Sequence, residues 1–230
     1  MNYGNEKLRI CEIFDSISGE GLNAGTPATF VRFSGCNLQC TFCDTRYHNS
    51  DVEFKGKAEE VFEHYGHRLQ SNEYVILTGG EPSVQNRYEL ILFIDGLRKY
   101  GTRHIEIETN GKNFDQFYKS LEAYRYPLIS YSVDFKIEEM ENPDYTMGAF
   151  LGYQMLGKQD CIKVVVSDTE EINFAKKLAD KFQNTNVIVS PCYNMIEPVE
   201  IANYIISNNF RNVKMQIQLH KYLWGNELGK

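Results

Sequence analysis

Short runs of β-branched, aliphatic and aromatic residues recur along the chain. Seven of them are typical of β-strands, because they are brief, rich in residues with high β-propensity and bounded by polar or glycine residues. They cover residues 29–35, 73–79, 104–109, 128–135, 161–167, 186–191 and 214–219. VILTG and IKVVVS within these runs are almost continuously apolar, which is typical of strands buried on both faces of a sheet.

Amphipathic segments lie between most of these runs. Their apolar residues recur at the three- and four-residue spacing of a helix that buries one face. The segments are AEEVFEHYGHRL (58–69), RYELILFIDGLRKY (87–100), FDQFYKSLEAY (114–124), EEINFAKKLADKF (170–182) and EPVEIANYIISN (197–208). The chain therefore alternates between strands and helices.

This alternation predicts an α/β fold, because strand-helix-strand units with right-handed crossovers place their strands in parallel. About six such units are too few for a closed eight-stranded barrel, so we expect a partial, open (β/α)6-type barrel. ICEIFDSI (10–17) precedes the first unit, and we expect it to form an extra edge strand. No linker is visible, and residues 1–230 are interpreted as a single domain.

The composition limits the possible partners. The 230 residues are 42% hydrophobic, and the net charge of −7 is spread along the chain without a run of lysine or arginine. We therefore expect no nucleic-acid partner. No window approaches the roughly 20 apolar residues that span a bilayer, and the N-terminus lacks the apolar core of a signal peptide, so we expect a cytoplasmic protein without membrane association.

Three of the six cysteines lie close together in GCNLQCTFC (35–43). Cys36, Cys40 and Cys43 have a C-x3-C-x2-C spacing, and thiolates in a reducing compartment are better interpreted as metal ligands than as disulfides. Three possibilities remain open. His48 could complete a Cys3His zinc site, a [4Fe-4S] cluster could keep one iron open for an exogenous ligand, or the thiols could be unliganded. The spacing favours the open cluster, because structural zinc sites usually have two separated pairs of ligands.

Glycine and polar residues follow three of the predicted strands, in TGGEP (78–82), ETNG (108–111) and SVDFK (132–136). The carboxyl ends of parallel strands meet at one edge of a sheet, where α/β folds place their sites. Two adjacent glycines let the backbone approach a ligand closely, and the carboxylate of Glu81 could accept a hydrogen bond from an ammonium group. The alternative is an ordinary turn closed by Pro82.

The cysteine spacing, with Phe42 directly before the last cysteine, resembles that of the radical S-adenosylmethionine (SAM) superfamily, and Gly79-Gly80-Glu81 resembles its GGE motif. Longer segments are more specific and resemble the 7-carboxy-7-deazaguanine synthase family. They are EIFDSISGEG (12–21), Gly25, FVR (30–32), GCNL (35–38), CDT (43–45), SVDFK (132–136) and QLHKYLWGN (218–226).

This resemblance implies an enzyme of queuosine and 7-deazapurine biosynthesis. The reaction converts 6-carboxy-5,6,7,8-tetrahydropterin to 7-carboxy-7-deazaguanine with loss of ammonia, by hydrogen-atom abstraction at C6 and Mg2+-dependent ring contraction. The implied cofactors are a [4Fe-4S] cluster, SAM used catalytically, and Mg2+. The implied partners are an electron-donor protein such as flavodoxin and a second copy of the chain in a homodimer.

The resemblance also assigns metal and substrate roles to individual residues. Cys36, Cys40 and Cys43 would hold the cluster, and Thr45 would bind Mg2+; the alternative for Thr45 is a turn that closes the cysteine loop. Arg32 would form a bidentate pair with the substrate carboxylate, or else an ion pair within the protein.

Thr78 and the segment Ile17-Ser18-Gly19 would contact the pterin ring. Ser18 stands where the family usually has Gln, so we expect backbone contacts there and no side-chain role. The residues assigned to SAM are Phe42, Cys43, Asp44, Gly80, Glu81, Asp134, Phe135, Lys136, Ser190, Pro191, Cys192 and Tyr193.

Three further alternatives follow from the sequence. His220 and Lys221 could reach an anionic substrate, or the C-terminal segment could dock through Tyr222, Leu223 and Trp224. An activating enzyme that makes a glycyl radical on a partner protein would share the cysteines and the GGE motif without needing an arginine for a carboxylate. A non-catalytic zinc-binding module would use the three cysteines as a structural staple.

Overall fold

The computed structural model describes residues 7–41, 43, 45, 52–70, 73–122, 129–225 and 227. Its strands are β1 (Leu8–Ile17), β2 (Pro27–Phe33), β3 (Phe54–Gly56), β4 (Tyr74–Gly79), β5 (His104–Thr109), β6 (Ile129–Asp134), β7 (Cys161–Val166), β8 (Asn186–Pro191) and β9 (Val213–Met215). They form one sheet in the order β3-β1-β2-β4-β5-β6-β7-β8-β9. β1 is antiparallel to both of its neighbours, and all the pairs from β2 to β9 are parallel.

The helices are α1 (Ala58–Leu69), α2 (Arg87–Lys99), α3 (Phe114–Leu121), α4 (Pro143–Tyr153), α5 (Ile172–Lys181), α6 (Pro198–Ser207) and α7 (Leu219–Trp224). Apart from β3, which lies between β2 and α1, one helix follows each parallel strand from β2 to β8. The order of the strands is linear, so the sheet is open and has β3 and β9 at its edges. The predicted α/β fold with six strand-helix units in a partial barrel is confirmed.

The N-terminal strand is present, but its predicted place at the edge was wrong. β3 pairs with β1 through Leu8–Ile10 and itself forms the edge of the sheet. β3 is only three residues long, and such a short segment carries no periodicity from which a strand could be predicted. The predicted strand 214–219 was also too long, because β9 ends at Met215 and α7 begins at Leu219.

Helix α4 was not predicted, because its apolar residues are spread around the helix and do not form one stripe. Its local start signal is nevertheless clear: the Asn142 side chain accepts hydrogen bonds from two backbone N–H groups at the helix start, and Pro143 occupies the first turn. A Cβ on Gly152 would be 2.3 Å from Cδ1 of Phe114 in α3, so the glycine permits the close contact between these two helices.

The two faces of the sheet differ in chemistry. Residues such as Ile105, Ile107 and Val133 face the helices and belong to the main hydrophobic core. The alternate positions on the same strands carry polar side chains, among them Glu106, Ser130, Ser132, Asp134 and Lys163. Because successive side chains in a strand point to opposite faces, these polar groups share the face away from the helices, and this face leads to the site. Among the described residues, no helix has the length and apolar character needed to cross a bilayer.

Candidate active site

A cavity of about 950 Å³ lies at the carboxyl ends of the parallel strands. Its wall includes the last inward-facing residues of four neighbouring strands, which are Arg32 in β2, Thr78 in β4, Glu108 in β5 and Asp134 in β6. Lys163 of β7 also lines it. The cavity therefore occupies the position in which open α/β sheets bind their ligands.

The three cysteines of the C-x3-C-x2-C segment all line this cavity. Gly35 precedes the segment with a positive φ of 89°, and its carbonyl accepts a hydrogen bond of 2.8 Å from the Glu81 N–H. Leu38 anchors the loop in the core with 7% exposure. The chain thus turns sharply after β2 and presents Cys36, Cys40 and Cys43 to the cavity.

Hydrogen-bond donors surround the first cysteine. The sulfur of Cys36 accepts from the Leu38 N–H at 3.4 Å and from Nδ2 of Asn110 at 3.6 Å. Burial raises the pKa of Cys36, and burial likewise raises the pKa of Cys40 to about 12. The thiols therefore hold their protons until a metal displaces them, as expected for buried ligands.

Among the described residues, no three His, Cys, Asp or Glu side chains surround one metal position. A [4Fe-4S] cluster takes one cysteine per iron, so its ligands surround a cube rather than a point. His48, which would complete the alternative zinc site, lies outside the described residues, as do Phe42 and Asp44.

The Gly79-Gly80 pair brings the backbone of β4 against the end of β2. Gly79 has a φ of 127°, and a Cβ there would be 2.3 Å from the Phe33 carbonyl oxygen. The Gly80 N–H donates to the same oxygen at 2.9 Å. The glycines therefore permit a close approach between two strand ends. Both line the cavity, and their close approach to a ligand stays a prediction.

Glu81 lines the cavity and is held firmly by the protein. Its side chain is fully buried and accepts three hydrogen bonds, from the Ser83 N–H at 2.9 Å, the Thr109 hydroxyl at 2.7 Å and the Asn110 N–H at 2.7 Å. The carboxylate therefore ties the end of β4 to the end of β5. A carboxylate can accept more than three hydrogen bonds, so the acceptor role toward a ligand's ammonium group stays a prediction.

Arg32 and Thr45 lie together on one side of the cavity. Arg32 Nε forms an ion pair of 2.7 Å with Glu12, and its NH1 donates to the Thr45 hydroxyl at 3.5 Å. The guanidinium also lies 5.5 Å from the ring centroid of Phe14. The alternative of an ion pair within the protein is thus observed, yet Arg32 still reaches the cavity.

Only part of the segment predicted to contact the pterin lines the cavity. Ile17 and Gly19 do so, whereas Ser18 is 1% exposed. The Ser18 N–H donates to the Thr26 carbonyl, and its own carbonyl accepts from Gly25, each at 2.8 Å. The expected backbone contact through Ser18 is therefore corrected, because its backbone closes the turn between β1 and β2.

At the end of β6, too, only some of the predicted residues line the cavity. Asp134 and Lys136 line the cavity and form an ion pair of 2.7 Å. Phe135 points to the opposite face, where it is 4% exposed and stacks on Phe150 with ring centroids 6.2 Å apart. Strand alternation thus places its side chain in the core, and its assignment to SAM stays a prediction.

At the end of β8, the residues that line the cavity begin after Pro191. Cys192 and Tyr193 line the cavity, but Ser190 and Pro191 are buried outside its wall. Ser190 has no exposed surface, and its hydroxyl has no hydrogen-bond partner among the described residues. The assignment of Ser190 and Pro191 to SAM stays a prediction, which the lining of the cavity does not support.

Several cavity residues were not assigned from the sequence, namely Glu20, Glu108, Asn110, Lys163 and Gln218. A signal existed for two of them. Glu108 is two residues from Glu106 in HIEIET, and Lys163 interrupts the apolar run IKVVVS. Charged residues at alternate positions of an otherwise apolar strand indicate a polar inner face.

The C-terminal segment contributes to the same wall. His220 and Lys221 both line the cavity. Docking through Tyr222 and Leu223 is contradicted, because these side chains are 82% and 55% exposed. The orientation of α7 therefore turns its basic residues inward.

Comparison with known proteins first defines the class. The family model of the radical SAM superfamily matches residues 30–136, which span the cysteine loop, the glycine pair and the end of β6. The crystal structure of SuiB from Streptococcus suis bound to S-adenosylmethionine has a similar fold, with a TM-score of 0.56 at 15% identity over 82% of this chain and 50% of that chain. The protein is a radical SAM enzyme, and this class implies a [4Fe-4S] cluster and SAM.

Full-length relatives define the family. A 7-carboxy-7-deazaguanine synthase from Clostridium acetobutylicum is 34% identical over 97% of both chains. One from Methanospirillum hungatei is 33% identical over 94% of this chain and 85% of its own. The crystal structure of QueE from Escherichia coli matches with a TM-score of 0.68 at 20% identity over 94% of this chain and 96% of that chain. The chain belongs to the 7-carboxy-7-deazaguanine synthase family, which excludes the zinc-binding module.

Proposed function

We propose that the protein converts 6-carboxy-5,6,7,8-tetrahydropterin to 7-carboxy-7-deazaguanine with loss of ammonia. Membership of the family supports this reaction. The main structural support is one contact in the cavity. Arg32, suited to a carboxylate, contacts Thr45, suited to Mg2+, at 3.5 Å within the same cavity as the three cysteines. A glycyl-radical activating enzyme has no need for such a pair beside its cluster.

The donor set of the cavity fits the cofactors. The thiolates of Cys36, Cys40 and Cys43 suit iron, and we assign them to a [4Fe-4S] cluster with one open iron. Bound together, the cluster and SAM would supply a carbon radical that takes a hydrogen atom from C6 of the substrate. We assign the amino group of SAM to Gly80 and Glu81, which both line the cavity beside the cysteine loop.

Asp134 and Lys136, at the end of β6, offer one acceptor and one donor to the cavity, three strands away from Arg32 in β2. Burial lowers the pKa of Lys136, but the adjacent Asp134 outweighs burial and raises it above the ordinary value. Lys136 therefore stays charged and suits the carboxylate of SAM, while Asp134 suits a hydroxyl donor. Cys192 and Tyr193 complete this part of the wall.

Charge balance gives Mg2+ a role beside Arg32. The ion pair with Glu12 already compensates the guanidinium charge, so a substrate carboxylate brings an additional negative charge into a partly desolvated site. A divalent cation held by the Thr45 hydroxyl and by substrate oxygens would offset that charge. Mg2+ suits the position because it prefers oxygen ligands and is often held by few protein groups.

The remaining wall suits the nitrogen-rich edge of a pterin. Glu20 and Glu108 are carboxylates beside Ile17 and Gly19, and Oε1 of Glu20 has no hydrogen-bond partner among the described residues. The Thr78 hydroxyl donates to Oε2 of Glu108 at 2.7 Å, which fixes the orientation of that carboxylate. Carboxylate acceptors match the N–H donors of an aminopyrimidinone ring. This edge would hold the ring while Arg32 holds its carboxylate.

We assign an electron-donor protein of the flavodoxin type to the cluster, since reductive cleavage of SAM needs an electron that the chain does not supply. A homodimer and a cytoplasmic location are part of the same proposal. Six cysteines without disulfides fit a reducing compartment.

An anaerobic assay tests the proposed function. The iron-reconstituted, reduced protein is incubated with SAM, Mg2+ and 6-carboxytetrahydropterin, and 7-carboxy-7-deazaguanine is followed by mass spectrometry. We expect product without stoichiometric consumption of SAM. Formation of 5′-deoxyadenosine without this product would keep the enzyme class and overturn the substrate. Cys40→Ala, which removes one cluster ligand, serves as the inactive control.

A further inference from the structure

A buried lysine connects the two halves of the cavity. Nζ of Lys163 lies 2.9 Å from Oε2 of Glu20 and 3.5 Å from Oδ1 of Asp134, and its side chain is only 6% exposed. Asp134 in turn pairs with Lys136 at 2.7 Å. Glu20 follows the segment Ile17–Gly19 on the proposed substrate side, while Asp134 and Lys136 lie on the proposed SAM side.

These four groups form a neutral set of two cations and two anions. Burial lowers the pKa of Lys163, but Glu20 and Asp134 outweigh burial and raise it well above the ordinary value. Burial raises the pKa of Asp134, and the two lysines outweigh it and lower that pKa. The four groups thus lie together in a largely buried position, where little water is available to replace any of them.

Lys163 contacts both carboxylates. Glu20 comes from the turn after β1, and Asp134 from the end of β6. Glu108 lies on β5, next to β6, and adds to the negative field around the lysine. The ammonium group of Lys163 therefore ties the position of Glu20 to that of Asp134.

We propose that Lys163 is a positioning residue that holds Glu20 for the substrate and Asp134 for SAM in one fixed arrangement. The inference rests on the proposed function. It names a residue that couples SAM cleavage to product formation. With Lys163 in place, the substrate ring and SAM are held at a constant separation. Without it, the radical would form beside a poorly placed substrate, and SAM cleavage would be uncoupled from product formation.

Binding measurements on the oxidised, cluster-loaded enzyme test the positioning role of Lys163 without turnover. Titration calorimetry gives the affinity for SAM and, with SAM present, for 6-carboxytetrahydropterin. We expect Lys163→Met to weaken both affinities by about tenfold or more, as truncation of one member of a buried ion pair generally does. Lys158→Met removes an exposed lysine near the start of the same strand and should leave both affinities within about twofold of the wild type.

Lys163→Met leaves two buried carboxylates with one lysine, so it could act through loss of folding. The double variant Glu20→Gln/Lys163→Met restores neutrality and should fold. If Lys163 acts on the substrate through Glu20, the double variant binds pterin no more weakly than Glu20→Gln alone, because the two effects are not additive. Its SAM affinity stays low, because Asp134 has still lost its contact with Lys163 and keeps only the one with Lys136.

Turnover in the same variants gives the second readout. We expect more 5′-deoxyadenosine per molecule of product in Lys163→Met than in the wild type. Unchanged affinities in Lys163→Met, or wild-type SAM affinity in the double variant, would overturn the positioning role. A wild type that binds SAM but makes no 7-carboxy-7-deazaguanine would instead overturn the proposed function, and the SAM affinities would still decide the role of Lys163.

Discussion

The imidazole of His220 lies directly against Gly19. A Cβ built on Gly19 would be 2.2 Å from Nδ1 of His220, and the Gly19 carbonyl accepts a hydrogen bond of 3.0 Å from the Leu219 N–H. This contact joins the turn after β1 to the start of α7, so the two ends of the chain close the cavity together. A glycine is needed because any side chain would occupy the position of the histidine ring.

Gly19→Ala should displace His220 while leaving the fold intact, because the φ of Gly19 lies outside the left-handed region and alanine meets no backbone strain. We expect KM for the pterin to rise about tenfold, equivalent to about 1.4 kcal/mol. Steady-state kinetics under anaerobic conditions measure this change. Gly66→Ala is the matched control, since its Cβ would have only an ordinary contact of 3.7 Å. Equal KM values in both variants would contradict a role for this contact.

The sequence predicted the fold well because the α/β alternation is repeated along the chain. The failures occurred where the pattern is short or absent. β3 has three residues, and α4 has its start signal at Asn142-Pro143 but no single apolar stripe. The position of β1 inside the sheet could not be predicted, because its pairing with β3 depends on a segment that follows it far along the chain.

The site was predictable where residue type alone determines the chemistry. Three closely spaced cysteines and two adjacent glycines line the cavity as expected. The direction in which a side chain points was harder to foresee. Phe135 lies between two cavity residues and faces the core, while Glu81 satisfies backbone donors. Lys163 was missed because its partners, Glu20 and Asp134, are distant in the sequence.

Arg32→Ala should weaken substrate binding strongly. If the guanidinium pairs with a desolvated substrate carboxylate, the loss in kcat/KM corresponds to about 2 to 4 kcal/mol. Removal of Arg32 also leaves Glu12 without its ion pair of 2.7 Å, so Glu12→Gln/Arg32→Ala is the control that removes the unpaired charge. An equally large loss in both variants supports direct binding. Recovery of activity in the double variant would show that the unpaired Glu12 caused the loss.

Thr45→Ala should retain the cluster and SAM cleavage but change the response to Mg2+. The variant loses a hydroxyl that we assign as a metal ligand, so the Mg2+ concentration for half-maximal activity should rise about tenfold, or about 1.4 kcal/mol. Thr41→Ala is the matched control on the same loop, because that hydroxyl donates to Glu138 at 3.0 Å. An unchanged Mg2+ dependence in Thr45→Ala would remove the residue from the metal site.

Glu106 should make the stability of the protein depend on pH. It is 2% exposed, and burial, followed by the nearby charge of Glu108, raises its pKa from 4.5 to about 6 despite hydrogen bonds from Tyr74 and Asn23. Between these two pKa values the folded state binds more protons than the unfolded state, so this group lowers the stability as the pH rises through that range. Above about pH 6 its unfavourable contribution is complete, at about 2 kcal/mol.

Glu106→Gln removes the titrating group and keeps an oxygen that can accept from Tyr74, which now donates to Oε2 of Glu106 at 2.5 Å. When the pH is raised from about 5 to about 7.5, we expect the free energy of unfolding of the variant to increase by about 1 kcal/mol relative to that of the wild type. Urea unfolding of the cluster-free protein at the two pH values measures the difference. Glu141→Gln is the control and should show no such gain, because the side chain of Glu141 is exposed to solvent in the folded protein as it is in the unfolded chain. If the free energy of unfolding changes by the same amount in Glu106→Gln and in the wild type between the two pH values, Glu106 is not protonated preferentially in the folded protein.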